Sequence, residues 1–464
     1  MTSHVRQLLI LASILLCIPP ASAAGPAQPV DLQKRAEELK SLKWGMFICW
    51  SFSTFSGKEW TPGVKDVSFF KATACDTDQW ARTAKEAGMG YILFLTKHHD
   101  GFCLWDSQTT DRKVTKALLG RDVLAELRKS CDKHGIRLAL YFSEGEFKDH
   151  PTYHPGGYTP EMKKAQLKEL LTQYGPIEYI WFDHAQSTGG VNHKDTVAWC
   201  HQSQPGTLIG FNHGEPAGEV SLREVGTAGP LGATGVASYN KENEGKYQDY
   251  LLAEFTYPIL PPHQDGAMWF YSLPKHDGLC LPAKKLYKDY LGAVQYGNIF
   301  SIDVGPNYEG QLRPIDVETL RQVGELIKNP PPPAPTPLSA RKPAKASSTW
   351  PAAGYEADKA FDEEDATRWG ASADARSGWL EVDLGAPTLV GRAVLKELGY
   401  QRTQEFAIEY QAGETWQTIV RGTTIAGEKT FDFPPVTASR FRLQILKANE
   451  VPTIEEFQLF RPSP

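Results

Sequence analysis

The 464-residue chain lacks the features that mark several protein classes. Its seven cysteines include no CxxC pair, which disfavours a zinc site, and we predict no metal in the active site. It has no long basic run and its net charge is −6, so no nucleic-acid partner is expected. After the first residues, no stretch reaches the roughly 18 apolar residues of a membrane helix. The sequence therefore predicts a globular protein that binds a neutral or polar ligand.

The apolar run at the start of the chain is typical of a secretory signal. Arg6 precedes apolar residues 8–18, and a small-residue site, Ala21-Ser22-Ala23, follows. We predict that residues 1–23 are a signal peptide and that the mature chain is secreted or periplasmic, without stable membrane insertion. Six cysteines remain after Cys17. They could form disulfides in an oxidising compartment or be buried free thiols, and the sequence assigns no pairing.

A proline-rich segment divides the chain. Residues 329–337 read NPPPPAPTP, and four consecutive prolines favour an extended, semi-rigid spacer. The predicted domains are therefore a first domain over 24–328 and a second over 338–464.

The first domain alternates strand-like and helix-like segments. Several of the strand-like runs are almost continuously apolar, as in parallel strands buried on both faces. Repeated strand–helix units of this length predict an α/β fold, a closed (β/α)₈ TIM-like barrel. Residues 214–249 are glycine-rich and predict long loops over the active face. The predicted strands are 44–51, 91–96, 137–142, 178–182, 207–212, 251–257 and 298–304.

The second domain has a different texture. Residues 378–384 and 440–445 alternate apolar and polar side chains, and turns separate such segments. This pattern predicts an antiparallel, all-β jelly-roll sandwich.

Polar residues at predicted strand ends are the candidates for chemistry, because catalytic groups of a barrel lie there. Asp183 directly follows a buried strand, and the alternative to a functional role is a helix N-cap or a salt-bridged loop aspartate. Glu254 lies inside an apolar strand, where burial would raise its pKa and suit it to act as a general acid. The alternative for Glu254 is a buried salt bridge.

Further candidates surround these two acids. His98 and His99 follow the second strand, with a self-capping loop as the alternative interpretation. Glu59 and Trp60 pair a carboxylate with an indole, which suits a sugar hydroxyl and a sugar ring face. The alternative there is a surface loop with one anchoring tryptophan.

Three segments of the first domain resemble glycoside hydrolase family 29, the α-L-fucosidases. Residues 96–105, TKHHDGFCLW, match the KHHDGF-x-L-W segment of that family, and KWGMF at 43–47 is similar to its first strand. Residues 290–306, which end in IDVGP, are similar to its last strand and turn. The resemblance implies a retaining exo-glycosidase that needs no cofactor for catalysis and acts on fucosylated or related glycans.

The resemblance also implies roles for individual residues. The aspartate after a W-F-D strand is the nucleophile of the family, which points to Asp183, and the two histidines contact fucose hydroxyls, which points to His98 and His99. A retaining enzyme needs a second carboxyl group about 5–5.5 Å away to act as acid and base. We predict Glu254 for this role, with Glu215 as the rival. The other predicted pocket residues are Trp50, Glu59, Trp60 and Trp181.

Three departures from the family pattern bear on the substrate. Cys49 stands where a sugar-binding histidine is usual, His184 where glycine is usual, and Asp303 where asparagine is usual. A thiol is a weak substitute for imidazole as a hydrogen-bond partner. A decorated or sulfated fucose, a related sugar such as α-galactose, and an inactive carbohydrate-binding barrel therefore stay as alternatives.

The second domain resembles the discoidin, or coagulation factor 5/8 C-terminal, family. The matching residues are AFD at 360–362, TRW at 367–369 and WLEVDLG at 379–385. The resemblance implies binding of galactose-like sugars or a structural role, and it allows a structural calcium ion. The oligomeric state is not predicted.

Overall fold

A computed structural model describes the chain over residues 30–144, 158–184, 193–212, 218–225, 228–229, 250–332, 335–364, 367–397 and 401–462. Residues 1–23, the predicted signal peptide, lie outside this range.

The first unit is a closed barrel of eight parallel strands in chain order, as predicted, with β1 paired to both β2 and β8. Most strand residues are buried, since helices cover the outside and side chains fill the inside. The strands are β1 Trp44–Ile48, β2 Tyr91–Lys97, β3 Arg137–Ser143, β4 Tyr179–Asp183, β5 Leu208–Phe211, β6 Val220–Glu224, β7 Leu252–Pro258 and β8 Ile299–Val304.

Helices follow most of the strands, and local sequence signals start them. The side chains of Asp76, Asp122 and Thr159 accept hydrogen bonds from the first turns of α3, α4 and α5, which satisfies donors that a helix leaves free. The helices are α1 Leu32–Ser41, α2 Phe52–Ser56, α3 Thr77–Glu86, α4 Val123–His134, α5 Pro160–Gln173, α6 His193–Ser203, α7 Ala283–Val294 and α8 Pro314–Lys328.

Strand β6 corrects the sequence-based prediction. Residues 214–249 were expected to form long loops over the active face, and no strand was placed there, yet Val220–Glu224 pairs with β7 over five residues and completes the barrel. Its pairing with β5 is a single bridge between Gly210 and Val220. VSLRE alternates apolar and polar residues, but a pattern of five residues with two apolar positions is too short to be recognised within a glycine-rich stretch.

The second unit is built of antiparallel strands. A sheet in the order β13-β12-β14-β11-β16 is joined at β11 by β9, and β10 pairs with β15. The core of this unit includes Phe361, Trp369 and Phe457. The strands are β9 Ala344–Ala346, β10 Trp369–Gly370, β11 Gly378–Glu397, β12 Thr403–Ala412, β13 Thr415–Gly422, β14 Gly427–Ala448, β15 Thr453–Ile454 and β16 Glu456–Phe460.

The chain divides into two compact units at Pro331 and Pro332, inside the proline-rich segment. Each unit has its own hydrophobic core. Within the described residues, no helix combines the length and the apolar character needed to cross a membrane.

Candidate active site

A cavity of about 340 Å³ opens at the carboxyl ends of the barrel strands. Such a position is where barrel enzymes bind their substrates. Its wall combines acids and histidines with a broad aromatic and aliphatic surface. The lining residues are Phe47, Cys49, Glu59, Trp60, Leu95, His98, His99, Tyr141, Trp181, Asp183, His184, Glu224, Trp269 and Phe270.

Asp183 ends strand β4 and lies in the cavity wall with 8 % of its surface exposed. Its Oδ2 accepts a 2.6 Å hydrogen bond from the Tyr141 hydroxyl, and its Oδ1 accepts bonds from the His184 backbone N–H at 2.8 Å and from Asn212 Nδ2 at 2.9 Å. Several donors favour the ionised carboxylate and hold it in one orientation. An oriented, ionised carboxylate in a cavity is suited to nucleophilic attack.

Glu224 ends strand β6, and Asn212 joins it to Asp183. Asn212 Nδ2 donates to Glu224 Oε2 at 2.6 Å and to Asp183 Oδ1 at 2.9 Å. Because both bonds share one nitrogen, the two carboxylate oxygens lie at most roughly 5.5 Å apart. This upper bound is compatible with the roughly 5–5.5 Å between the two carboxyl groups of a retaining glycosidase.

His98 and His99 both line the cavity, and their rings lie 4.0 Å apart. His99 Nδ1 is 2.6 Å from Ser143 Oγ, and His99 Nε2 is 3.5 Å from Asp183 Oδ2. Burial, and next the neighbouring His99, hold the pKa of His98 well below its usual range. A neutral His98 can both donate and accept a hydrogen bond, as sugar hydroxyls require.

Glu59 and Trp60 also line the cavity. Glu59 Oε2 accepts a 2.7 Å bond from the Met268 N–H, which ties its loop to the segment that carries Trp269. Burial raises the pKa of Glu59. The Trp60 ring is 55 % exposed and is therefore open to a ligand at the rim.

Glu254 does not face Asp183 across the cavity, which corrects the predicted pair. Its side chain is fully buried in the barrel interior and is not among the lining residues. Trp181, which lines the cavity, donates a 3.1 Å bond from Nε1 to Glu254 Oε2. Burial raises the pKa of Glu254 to about 7. Glu254 therefore supports Trp181 by a hydrogen bond and does not itself line the cavity.

Trp50 was predicted to line the pocket, but it is not among the residues that line the cavity. Its side chain is fully buried, its Nε1 donates to the Asn307 carbonyl at 2.9 Å, and its ring packs against Phe70 and Trp80. It belongs to the core behind the site. The rival acid, Glu215, lies outside the described residues.

Cys49 and Asp303, two of the departures from the family pattern, are neighbours. Cys49 lines the cavity, and its thiol lies beside the buried Asp303 carboxyl, so each group influences the ionisation of the other. Burial raises the pKa of both groups, so the uncharged forms are favoured. The pair makes this part of the wall neutral.

His184, the third departure, is a non-glycine residue in the left-handed region, with φ 47°. Its exposed ring lies 4.1 Å from the ring of His99. A residue with a Cβ is strained in this conformation, and such strain concentrates at functional sites.

Sequence reasoning missed three residues around Asp183. Tyr141 and Asn212 both come directly at the carboxyl ends of predicted strands, so the strand-end rule could have found them. Glu224 depended on recognising β6.

Family models match both parts of the chain. Residues 25–330 match the model described as Alpha-L-fucosidase, and residues 343–457 match the F5/8 type C domain.

Similar proteins agree with this match. Alpha-L-fucosidase 1 of Arabidopsis thaliana is 30% identical over 457 residues, which cover 91% of this chain and 86% of the relative. Plasma alpha-L-fucosidase of Homo sapiens is 25% identical over 363 residues, with 67% and 72% covered. A crystal structure of a glycoside hydrolase 29 family member from an unknown rumen bacterium has the same fold, with a TM-score of 0.53, 24% identity, and 94% and 77% coverage. The chain therefore belongs to the alpha-L-fucosidase family, glycoside hydrolase family 29, and is a glycoside hydrolase with a C-terminal F5/8 type C domain.

Proposed function

We propose that this enzyme hydrolyses α-L-fucosides with retention, with Asp183 as the nucleophile and Glu224 as the acid and base. The observation that carries this assignment is the Asn212 amide nitrogen bonded to both carboxylates. It supports a spacing at which one anomeric carbon can lie between the two groups.

The reaction has two displacements. Asp183 attacks the anomeric carbon while Glu224 protonates the leaving glycosidic oxygen, and the C–O bond to the aglycone breaks as the ester bond to Asp183 forms. Glu224, now a carboxylate, takes a proton from water as the water attacks the same carbon and releases Asp183. Tyr141 and Asn212 hold Asp183 by hydrogen bonds throughout.

The apolar part of the wall supports fucose as the sugar. L-Fucose is a 6-deoxy sugar, and Phe47, Leu95 and Phe270 offer an apolar surface for its methyl group. An apolar pocket discriminates only weakly against an added hydroxyl, by about 10². We therefore expect an aryl α-L-fucoside to be hydrolysed up to about 10²-fold faster than the aryl α-L-galactoside, which differs from it only by the 6-hydroxyl. An aryl α-D-galactoside, which has the opposite absolute configuration, should be hydrolysed more slowly still. A preference for the α-D-galactoside would favour the galactosidase alternative, and tight fucose binding without turnover of any of the three would favour the inactive barrel.

The nucleophile is tested by Asp183→Ala. We expect activity on an aryl α-L-fucoside to fall by a factor on the order of 10³ or more, since the covalent step is lost. Steady-state kinetics measure this loss, and retention of most activity would remove Asp183 from the mechanism.

The acid and base is tested by chemical rescue. Glu224→Ala should lose most activity, and added azide should restore part of it on an activated aryl substrate, because a small anion can enter the vacated space. Glu254→Ala is the matched comparison and should show no azide rescue. If azide rescued Glu254→Ala or Glu215→Ala and did not rescue Glu224→Ala, the rescued position would be the acid and base.

The C-terminal domain has its own candidate glycan site, a pocket of about 360 Å³. Trp350 and Tyr355 provide rings for a sugar face, and Arg368, Arg376 and Arg402 provide donors. We expect Trp350→Ala in the full chain to lose retardation in gels that contain a fucosylated or galactosylated polysaccharide. Equal retardation of the variant would favour a structural role for the domain.

Oxygen donors in the same domain fit the calcium ion that the resemblance allows. Thr367 Oγ1 lies 2.8 and 3.0 Å from the two Asp362 carboxylate oxygens and 3.3 Å from the Lys359 carbonyl. An all-oxygen set of this kind suits a hard cation. We propose that calcium, when bound here, has a structural role only.

We also propose that residues 1–23 direct export of the protein and are then removed. Sequencing the N-terminus of the protein recovered outside the cytoplasm tests this prediction.

A further inference from the structure

We propose that His99, Asp183 and His184 form a binding site for a divalent transition-metal ion, and that an ion bound there inhibits the enzyme. Metal binding stands on the geometry alone. The inhibition rests on the proposed role of Asp183.

The donor set is the first support. A ligand atom from each of the three residues lies within 4.8 Å of the other two. Metal–nitrogen and metal–oxygen bonds of about 2.0–2.2 Å can be reached from there by small side-chain rotations. Two imidazoles and one carboxylate favour zinc, cobalt, nickel or copper ions over magnesium or calcium, which prefer oxygen ligands.

The surroundings of the donors are the second support. Ser143 Oγ lies 2.6 Å from His99 Nδ1, so a proton on Nδ1 can be donated to Ser143 while Nε2 faces Asp183 with its lone pair. Tyr141 and Asn212 hold the Asp183 carboxylate in place. Such outer hydrogen bonds orient metal ligands and strengthen binding.

The position of His184 is the third support. Its left-handed backbone directs an exposed imidazole against His99, although glycine would relieve the strain of this conformation. The Asp183 carboxylate itself lies in the cavity wall and contributes negative potential, which attracts a cation. An ion held by Asp183 would occupy the lone pair that the nucleophile needs.

The experiment titrates the full-length protein with Co²⁺ and follows the visible absorption of the ion. We expect one ion per chain, no displacement by excess Mg²⁺, and a Kd that rises roughly 10–100-fold in His184→Gly. Glycine suits the φ of this position, so the variant should fold. The matched control is His263→Gln, because the His263 ring lies 4.3 Å from the His276 ring in a histidine pair outside the proposed metal site. This control should leave the Kd unchanged.

The outcomes separate the two proposals. Absence of saturable Co²⁺ absorption, or an equal Kd in His184→Gly, would overturn the metal site. For an aryl α-L-fucoside, Co²⁺ should raise the apparent KM of the wild type and leave kcat unchanged. Binding that depends on His184 but changes neither KM nor kcat would leave the metal site standing and overturn Asp183 as the nucleophile.

Discussion

At the scale of single residues, Glu254 shows how one carboxyl group can mislead. An acid in an apolar strand suggests catalysis, and its pKa of about 7 would suit a general acid. Its side chain nevertheless points into the barrel interior, where it bonds Trp181. The raised pKa of Glu254 is therefore a result of burial, and it makes the stability of the protein depend on pH.

Replacing Glu254 with glutamine tests that consequence. The pKa of Glu254 is raised from its ordinary value of 4.5 to about 7 in the folded protein, so the folded protein keeps a proton that the unfolded chain loses. As the pH rises from about 4.5 to 7, the free energy of unfolding of the wild type should therefore fall relative to that of Glu254→Gln, by up to roughly 3 kcal/mol. Thermal unfolding at pH 5 and pH 8 measures the difference between the two proteins.

Activity supplies the control for this substitution. Glu254→Gln keeps an acceptor for Trp181 and should retain activity, whereas Glu224→Gln should lose it because the amide cannot transfer the proton. A pH-independent stability difference would contradict the buried, protonated state of Glu254.

At the scale of elements, the barrel depends on close approach between neighbouring strands. Gly45 in β1 pairs with Tyr91 in β2. A Cβ at Gly45 would lie 2.5 Å from a carbon of the Tyr91 ring and 2.6 Å from the Tyr91 carbonyl oxygen. The ring could rotate, but the carbonyl belongs to the β2 backbone and cannot move without disturbing the barrel.

We therefore expect Gly45→Ala to destabilise the barrel by about 1–3 kcal/mol, as overpacking does. Gly278→Ala is the matched control, since a Cβ there meets nothing within 4 Å. Thermal unfolding of both variants compares them. Equal melting temperatures would show that β1 and β2 separate more easily than the contact implies.

At the scale of the whole molecule, the two units have separate cores, and the oxygen cluster around Asp362 and Thr367 lies in the second unit. We expect two calorimetric transitions. EDTA should lower the melting temperature of one of them by several degrees, and added Ca²⁺ should restore that temperature, because an ion that binds only the folded state stabilises the folded state. Asp362→Ala should remove this response and leave the other transition unchanged. An EDTA effect on both transitions, or on neither, would contradict a calcium site confined to this unit.

The sequence by itself determined the barrel, the antiparallel second domain and the family. Apolar runs and short motifs such as TKHHDGF are local signals, and they need no knowledge of distant neighbours. The same strand-end logic led to Asp183, His98 and His99, which the structure brings to one cavity.

Only the tertiary structure decided which acid lies opposite Asp183 and which residues stay in the core. Glu224 reaches the cavity because β6 closes the barrel, and one Asn212 nitrogen spans the two carboxylates. Glu254 lies near the start of β7, four residues before its carboxyl end at Pro258, and its side chain is buried in the barrel interior. Trp50 follows β1, and its ring packs into the core against Phe70 and Trp80. A linear pattern shows the kind of each side chain, whereas its direction is a property of the folded barrel.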